Sequence, residues 1–437
     1  MKLMKMFDVV IKNGNVVLEN VVEMVDIGIK SGKIVEIAKE IDCNNAAELI
    51  DAAGLHVFPG LIDTHVHFNE PGRTEWEGFE TGSKSLAAGG ATTFFDMPLN
   101  SHPPTIDLDG YVQKDALGKQ KALIDYKLWG GLVPQNIERL EELHVAGVIG
   151  FKAFMSNSGI DDFQAADDKT LYAGMKKIAA LDSILAVHAE SDIITEELGK
   201  LVENEDGYSF SASRPIYSEL EAVNRILSYA EATKCKVHIV HISSSEVLKP
   251  IIAAKKRGVD VSVETCPHYL SLTVDDLDKL GAVAKCAPPL RTAQEVEGLW
   301  QAIKAKAIDI IGSDHSPSLE SMKKGKLSDA WGGISGCQST LSVLLEEGYW
   351  KREVDLSIIA SLTSSNPAKR FGLYPQKGKT EVGSDADFCL VDLKKEYTLK
   401  KDDLFYRNKQ SPYIEKTFRG KVTRTILKGR TVYEELV

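Results

Sequence analysis

Between about residues 54 and 375 the chain alternates short apolar runs with longer segments whose apolar residues recur at helical spacing. The runs fall at 61–67, 92–97, 127–132, 148–155, 184–188, 236–242, 260–264 and 308–312. Segments such as SELEAVNRILSYAEATK and SSEVLKPIIAAKKRG lie between them. Short runs without strict alternation, joined by helical crossovers, predict a parallel sheet covered on both faces. Eight of them favour a (β/α)8 barrel. A doubly wound open sheet is the alternative, but no glycine-rich phosphate loop follows the first run.

The two ends read differently. DVVIKNGNVVL predicts a hairpin around Asn13-Gly14, DIGIKSGKIVEIA another around Ser31-Gly32, and RTILKGRTVYEE a turn at Lys428-Gly429. DADFCLVDL and KTFRGKV are also β-rich. Neither end has enough strands to bury a core alone. Residues 1–53 and 376–437 are therefore expected to join in one small β-sandwich, with 54–375 forming the barrel.

Composition narrows the class. Of 437 residues, 43% are hydrophobic and 26% charged, as in an ordinary globular chain. Lys and Arg number 52 against 63 Asp and Glu, a net charge of −11 that disfavours nucleic acid and anionic lipid as partners. No apolar run approaches the roughly 18–20 residues that span a bilayer, and the start lacks a secretory pattern. The six cysteines form no C-x-x-C pair, so neither a disulfide framework nor a zinc ribbon is indicated. A cytoplasmic protein is expected.

The chemistry lies at the ends of the runs. His65 and His67 are spaced i, i+2 and face the same way. His188 ends one run, His241 another, and Asp314 follows the last. Barrel active sites lie where strand C-termini converge, and imidazoles converging there with a carboxylate form a metal site. Lys152 interrupts the apolar run VIGFKAFM. Burial lowers a lysine pKa, and the neutral amine can take up carbon dioxide to form a carbamate whose two oxygens bridge two cations. Four histidines, this N6-carboxylysine and Asp314 then suit two divalent ions roughly 3.5–4 Å apart.

At this point the chain resembles the cyclic amidohydrolases, a metal-dependent hydrolase superfamily that includes allantoinases, hydantoinases (dihydropyrimidinases) and dihydroorotases. The likeness runs through PGLIDTHVHFNEPGRTEWEGFETGS, GFKAFMSNSG, VHAES, HISS, CPHYL, SDHSP, WGGISG and NPAKRFGL. KGKTEVGSDADFCLVD, from Lys377, matches the return to the sandwich. The resemblance places His65, His67, Lys152, His188, His241 and Asp314 on the six metal positions. It reads His238 as a packing residue and leaves His268 and His315 in motifs but off ligand positions. It implies two divalent ions per subunit, with zinc favoured over cobalt, manganese or iron, carbon dioxide for the lysine, and a homo-oligomer, tetramer favoured over dimer. A metal-bridging hydroxide would attack a cyclic amide with Asp314 as general base and acid.

Substrate choice rests on departures within the resemblance. Asn69 stands where dihydroorotase-like chains carry an arginine for the substrate carboxylate, and an amide offers no bidentate charged contact. Asn157 replaces the tyrosine of hydantoinase-like chains. Both departures resemble the allantoinase branch, which opens the allantoin ring to allantoate in purine catabolism. Hydantoinase and then dihydroorotase are the enzymic alternatives, and an inactive scaffold the non-enzymic one. Asn69, Asn157, Ala287 in CAPPLR and Gly333 in WGGISG are candidate substrate contacts. Residues 316–331 read as a lid or as a solvated loop, and Cys266 and Cys286 as packing residues.

Overall fold

A computed structural model describes residues 6–202 and 204–435. Residues 1–5, Glu203 and residues 436–437, parts of the expected domains, lie outside them.

Both chain ends enter one sheet. Its strands are β1 (Phe7–Val17), β2 (Val22–Lys30), β3 (Lys33–Ala38), β4 (Ala46–Asp51) and β5 (His56–Pro59) from the start. From the end come the strands Phe388–Thr398, Thr417–Leu427 and Arg430–Glu434. The first of these pairs antiparallel with β5, which pairs in parallel with β1. The buried side chains Val9, Ile11, Ile27, Ile29, Val57, Phe388 and Ile426 form its own core. β1 and β2 alternate toward that core because successive side chains point to opposite faces.

The hairpin expected at Asn13-Gly14 is absent. β1 runs through it, with a bulge that shifts the register between Ile11 and Gly14. Asn13 takes φ 60° there, its N–H bound to Asp26 and its amide to Asp51. The Asn-Gly pair supplies the left-handed residue a bulge needs as readily as a turn. The chain reverses instead at Leu18–Val21. Ser31-Gly32 and Lys428-Gly429 do turn between strands.

The middle of the chain is α/β with two parallel arrays. One holds β6 (Leu61–Val66), β7 (Ala91–Asp96) and β8 (Asp125–Leu128). The other runs from β9 (Gly130–Gly131) through β10 (Phe151–Phe154), β11 (Ile184–His188), β12 (Lys236–Ile239) and β13 (Val261–Thr265) to β14 (Ile310–Ile311). The run expected at 127–132 is thus broken at Trp129, whose N–H still bonds Asp96 O while Gly130 N–H bonds Gly150 O. A Cβ on Gly131 would sit 2.5 Å from the Phe163 ring. At the other seam His67 N–H bonds His315 O at 2.8 Å, and Ser313 N–H bonds Asp63.

Amphipathic helices such as Ile216–Thr233 and Ala293–Lys304 cover the strands through Ala222, Val223, Ile226, Leu299 and Trp300. Among the described residues no helix is long and apolar enough to cross a membrane.

Candidate metal centre

The C-terminal ends of the parallel strands deliver all six predicted side chains to one place. His65 sits on β6 and His67 just beyond it, Lys152 on β10 and His188 at the end of β11. His241 follows β12 and Asp314 follows β14. All are buried or nearly so. His241 (φ 41°) and Asp314 (φ 46°) adopt left-handed backbone, a strain of about 1–3 kcal/mol each that gathers at functional sites. In both, the strained turn stands where the strand gives way to its loop.

Two clusters result. Nε2 of His65 and of His67 lie 3.2 and 3.3 Å from one Asp314 oxygen, and the ligand atoms of the three lie within 4.8 Å of one another. His188 Nδ1 faces His241 Nε2 at 3.0 Å. Lys152 Nζ is buried and has no hydrogen-bond partner. Its charge weighs on His67, His188 and His241, and Asp314 is the carboxylate that acts on it most. Electrostatically it stands between the clusters.

The protonation states suit ligation. Burial pushes Lys152 down to about 7, a shift that Asp314 and Glu264 oppose. Burial, with Lys152 adding to it, pushes His67 down to about 4 and His188 and His241 below the usual imidazole range. Neutral imidazoles are the ligating form. Burial raises Asp314, but His65 and His67 outweigh it and hold the carboxyl down to about 2.

Two glutamates that carry no role in the sequence reading complete the arrangement. Glu264, on β13, lies 2.9 Å from His65 Nδ1 and accepts from the Thr64 hydroxyl. Glu190 lies 2.8 Å from His188 Nε2 and is bound by Arg214. Carboxylates behind imidazoles fix the tautomer and turn the opposite nitrogen toward the ligand. The only sequence signal was a carboxylate in or beside an apolar strand, in VSVET and in VHAES. His238 lies buried between Ser262 and Glu264. His268 is buried with Nε2 unpartnered, and His315 Nδ1 accepts from Gly336 N–H.

A cavity of about 370 Å3 opens over the clusters, lined by His65, His67, His188, His241 and Asp314 below and by Asn100, Phe154, Phe210, Arg214 and Trp331 around. Of the predicted substrate contacts, Asn157, Ala287 and Gly333 line it. Asn69 does not. It is fully buried and donates to Pro317 O, so it shapes the loop after Asp314. Cys286 also lines the cavity, its thiol pushed up to about 12 by burial. Residues 316–331 form part of the wall through Ser316, Ser328, Asp329, Ala330 and Trp331, while Glu320, Ser321, Lys324, Gly325 and Lys326 are exposed.

The donor set fits divalent cations. His67, His188 and His241 are held neutral, the carboxylate ionised, and the lysine has a lowered pKa and no partner, which is the state that carboxylation requires.

Residues 56–432 match the amidohydrolase family. The chain is 50% identical to an allantoinase of Deinococcus radiodurans, over 94% of this chain and 91% of that one. It is 48% identical to an allantoinase of Rubrobacter xylanophilus, over 99% and 95%. Its fold superposes on an L-hydantoinase (dihydropyrimidinase) of Arthrobacter aurescens with a TM-score of 0.96 at 34% identity, covering 99% and 98% of the two chains.

Proposed function

The chain belongs to the amidohydrolase family, and on that ground we propose that it hydrolyses the cyclic amide bond of allantoin to give allantoate. The observation that carries the reading is the convergence of His65, His67, His188, His241, Lys152 and Asp314 beneath one cavity, in a chain whose allantoinase relatives match it at about half identity over nearly its whole length.

His65, His67, His188, His241 and Asp314 would hold two divalent cations, with Lys152, carboxylated on Nζ, as the sixth ligand. When bound, the pair supplies a water nucleophile usable near neutral pH and polarises the amide carbonyl. Zinc is the metal proposed. Glu264 and Glu190 hold His65 and His188 in the ligating tautomer.

Asp314 accepts the proton that the attacking water gives up and passes it to the departing ring nitrogen. The ring C–N bond breaks, leaving a carboxylate on one side and a ureido group on the other. The cavity wall holds the ring against this centre. Asn157 and Arg214 offer polar groups to the ureido arm, and Phe154 and Phe210 offer apolar surface to the ring. Gly333 N–H is already bound to Lys285 O, so that residue contributes shape and not a donor.

The same reading makes the protein a cytoplasmic homo-oligomer, a tetramer by resemblance, which light scattering tests. The decisive assay compares allantoin, hydantoin, dihydrouracil and dihydroorotate on metal-reconstituted protein, with and without bicarbonate. Ring opening of allantoin well above the others, dependent on metal and raised by bicarbonate, is expected. A preference for hydantoin or dihydrouracil would transfer the assignment to the hydantoinases. No turnover, with less than one metal bound, would leave a scaffold.

A further inference from the structure

Residues 316–333 return from Asp314 across the cavity mouth, and two ammonium groups grip them there. Lys285 is 6% exposed. Its Nζ donates to the carbonyls of Leu327 (2.6 Å), Ser328 (3.0 Å) and Ala330 (2.7 Å). Lys323, at the end of the short 3-10 turn Glu320–Lys323, donates to Ala282 (3.0 Å), Trp331 (2.8 Å) and Gly333 (2.5 Å). A lysine ammonium has three protons, so both groups are saturated by main-chain oxygens. Neither has an ion-paired carboxylate among the described residues.

This is a costly way to place a lysine. Its stem ordinarily lets the charge reach water. Here burial pushes Lys323 down to about 7 and Lys285 down to about 8. What the enclosure provides is local. The bound carbonyls fix the course of residues 327–333, and Gly333 N–H closes back onto Lys285 O at 2.8 Å. Trp331 then stands edge-on to Trp76, ring centres 4.9 Å apart. A Cβ on Gly333 would lie 2.4 Å from Ser316 O, so the wall has no slack. Ser328 to Gly333 all face the cavity that lies above Asp314.

We propose that Lys285 and Lys323 are positioning residues: by chelating the carbonyls of residues 327–333 they build the outer wall of the substrate cavity and set substrate affinity without taking part in bond breaking. Only the identity of the ligand, allantoin, rests on the function proposed above.

The test uses metal-loaded protein carrying Lys285→Met, Lys323→Met or both. Hydrogen exchange of residues 324–335 is followed beside KM and kcat for allantoin. Exchange in that segment should quicken about tenfold, and KM should rise about tenfold with kcat within about threefold of the unmodified protein, the signature of lost uniform binding. Lys323→Gln, which keeps two donors, should fall between; it and Lys285→Gln carry the same readouts if the methionine variants do not fold. Unchanged exchange overturns the role, as does faster exchange with unchanged KM or a fall confined to kcat. If the unmodified protein fails to open allantoin, the function reading falls, while exchange still decides whether the lysines hold the wall.

Discussion

His188 presents Nδ1 to His241 Nε2 at 3.0 Å while its other nitrogen lies 2.8 Å from Glu190. Donation to Glu190 leaves a lone pair on Nδ1, aimed at the partner imidazole and the cation site proposed there. Burial raises Glu190, but Arg214 and His188 outweigh it and hold the carboxyl down to about 2. Glu190→Gln keeps the shape and removes the charge. It is expected to weaken the cation at this pair by about 10–100-fold, read by competition with a chelator of known affinity. An unaltered affinity would remove the orienting role. Glu264→Gln should act in the same way on the His65 cluster.

Lys152 is buried without a partner, and an ammonium there would repel two cations. Gently handled, metal-loaded protein is therefore expected to show the mass of one added carboxyl group, lost on acidification because carbamates are acid-labile. Lys152→Met should fold yet fail to retain two equivalents of metal. Detection of unmodified Lys152 alone in fully loaded protein would dismiss the carboxylated ligand.

Asp314→Asn, assayed in protein whose metal content matches the unmodified enzyme, tests the proton transfer. Asparagine tolerates left-handed backbone as aspartate does, so the φ of 46° is no obstacle. The amide cannot accept the proton. Turnover should fall by about a hundred- to ten-thousandfold, with a much smaller change in KM. Retention of near-normal kcat would place the base elsewhere.

Much of this centre was legible because its residues announce themselves locally. A histidine, lysine or aspartate at the end of an apolar run is conspicuous, and strand ends of a parallel barrel converge by topology. Glu264 was less conspicuous, since a carboxylate in the apolar run VSVET was its one signal and its bond to His65 spans 199 positions. Lys285 and Lys323 were hidden for another reason. Lys285 stands alone in the apolar run GAVAKCAPP and Lys323 in a polar stretch, where a lysine reads as solvated; only the return of the chain over the mouth shows that their charges point inward to carbonyls. Asn13-Gly14 misled because one left-handed residue serves a bulge as well as a turn. Beside the gap at Trp129, Gly130 and Gly131 take the rings of Phe151 and Phe163 against their backbone, a packing fact that periodicity does not carry.

The enclosed lysines also give the wall a pH dependence whose sign is fixed by linkage. In water each lysine would keep its proton up to about 10.5, whereas enclosure brings Lys323 down to about 7 and Lys285 to about 8. Between those values the open wall binds more protons than the closed one, so raising the pH from about 7 toward 10 favours the closed wall. A neutral amine still carries two donors, so the carbonyls are not abandoned. Arg214, Asp329 and Glu205 act on Lys285, and Cys286 and Lys285 itself act on Lys323. The Cys286 thiol, pushed up to about 12, does not titrate in this window. Protection of the amides of residues 327–333, corrected for intrinsic exchange, is expected to be greater at about pH 9 than at about pH 7. In the Lys285→Met/Lys323→Met protein that dependence should disappear. Protection that falls with pH in the unmodified protein would mean that the bound carbonyls raise the lysine pKa values above 10.5 and that enclosure does not lower them.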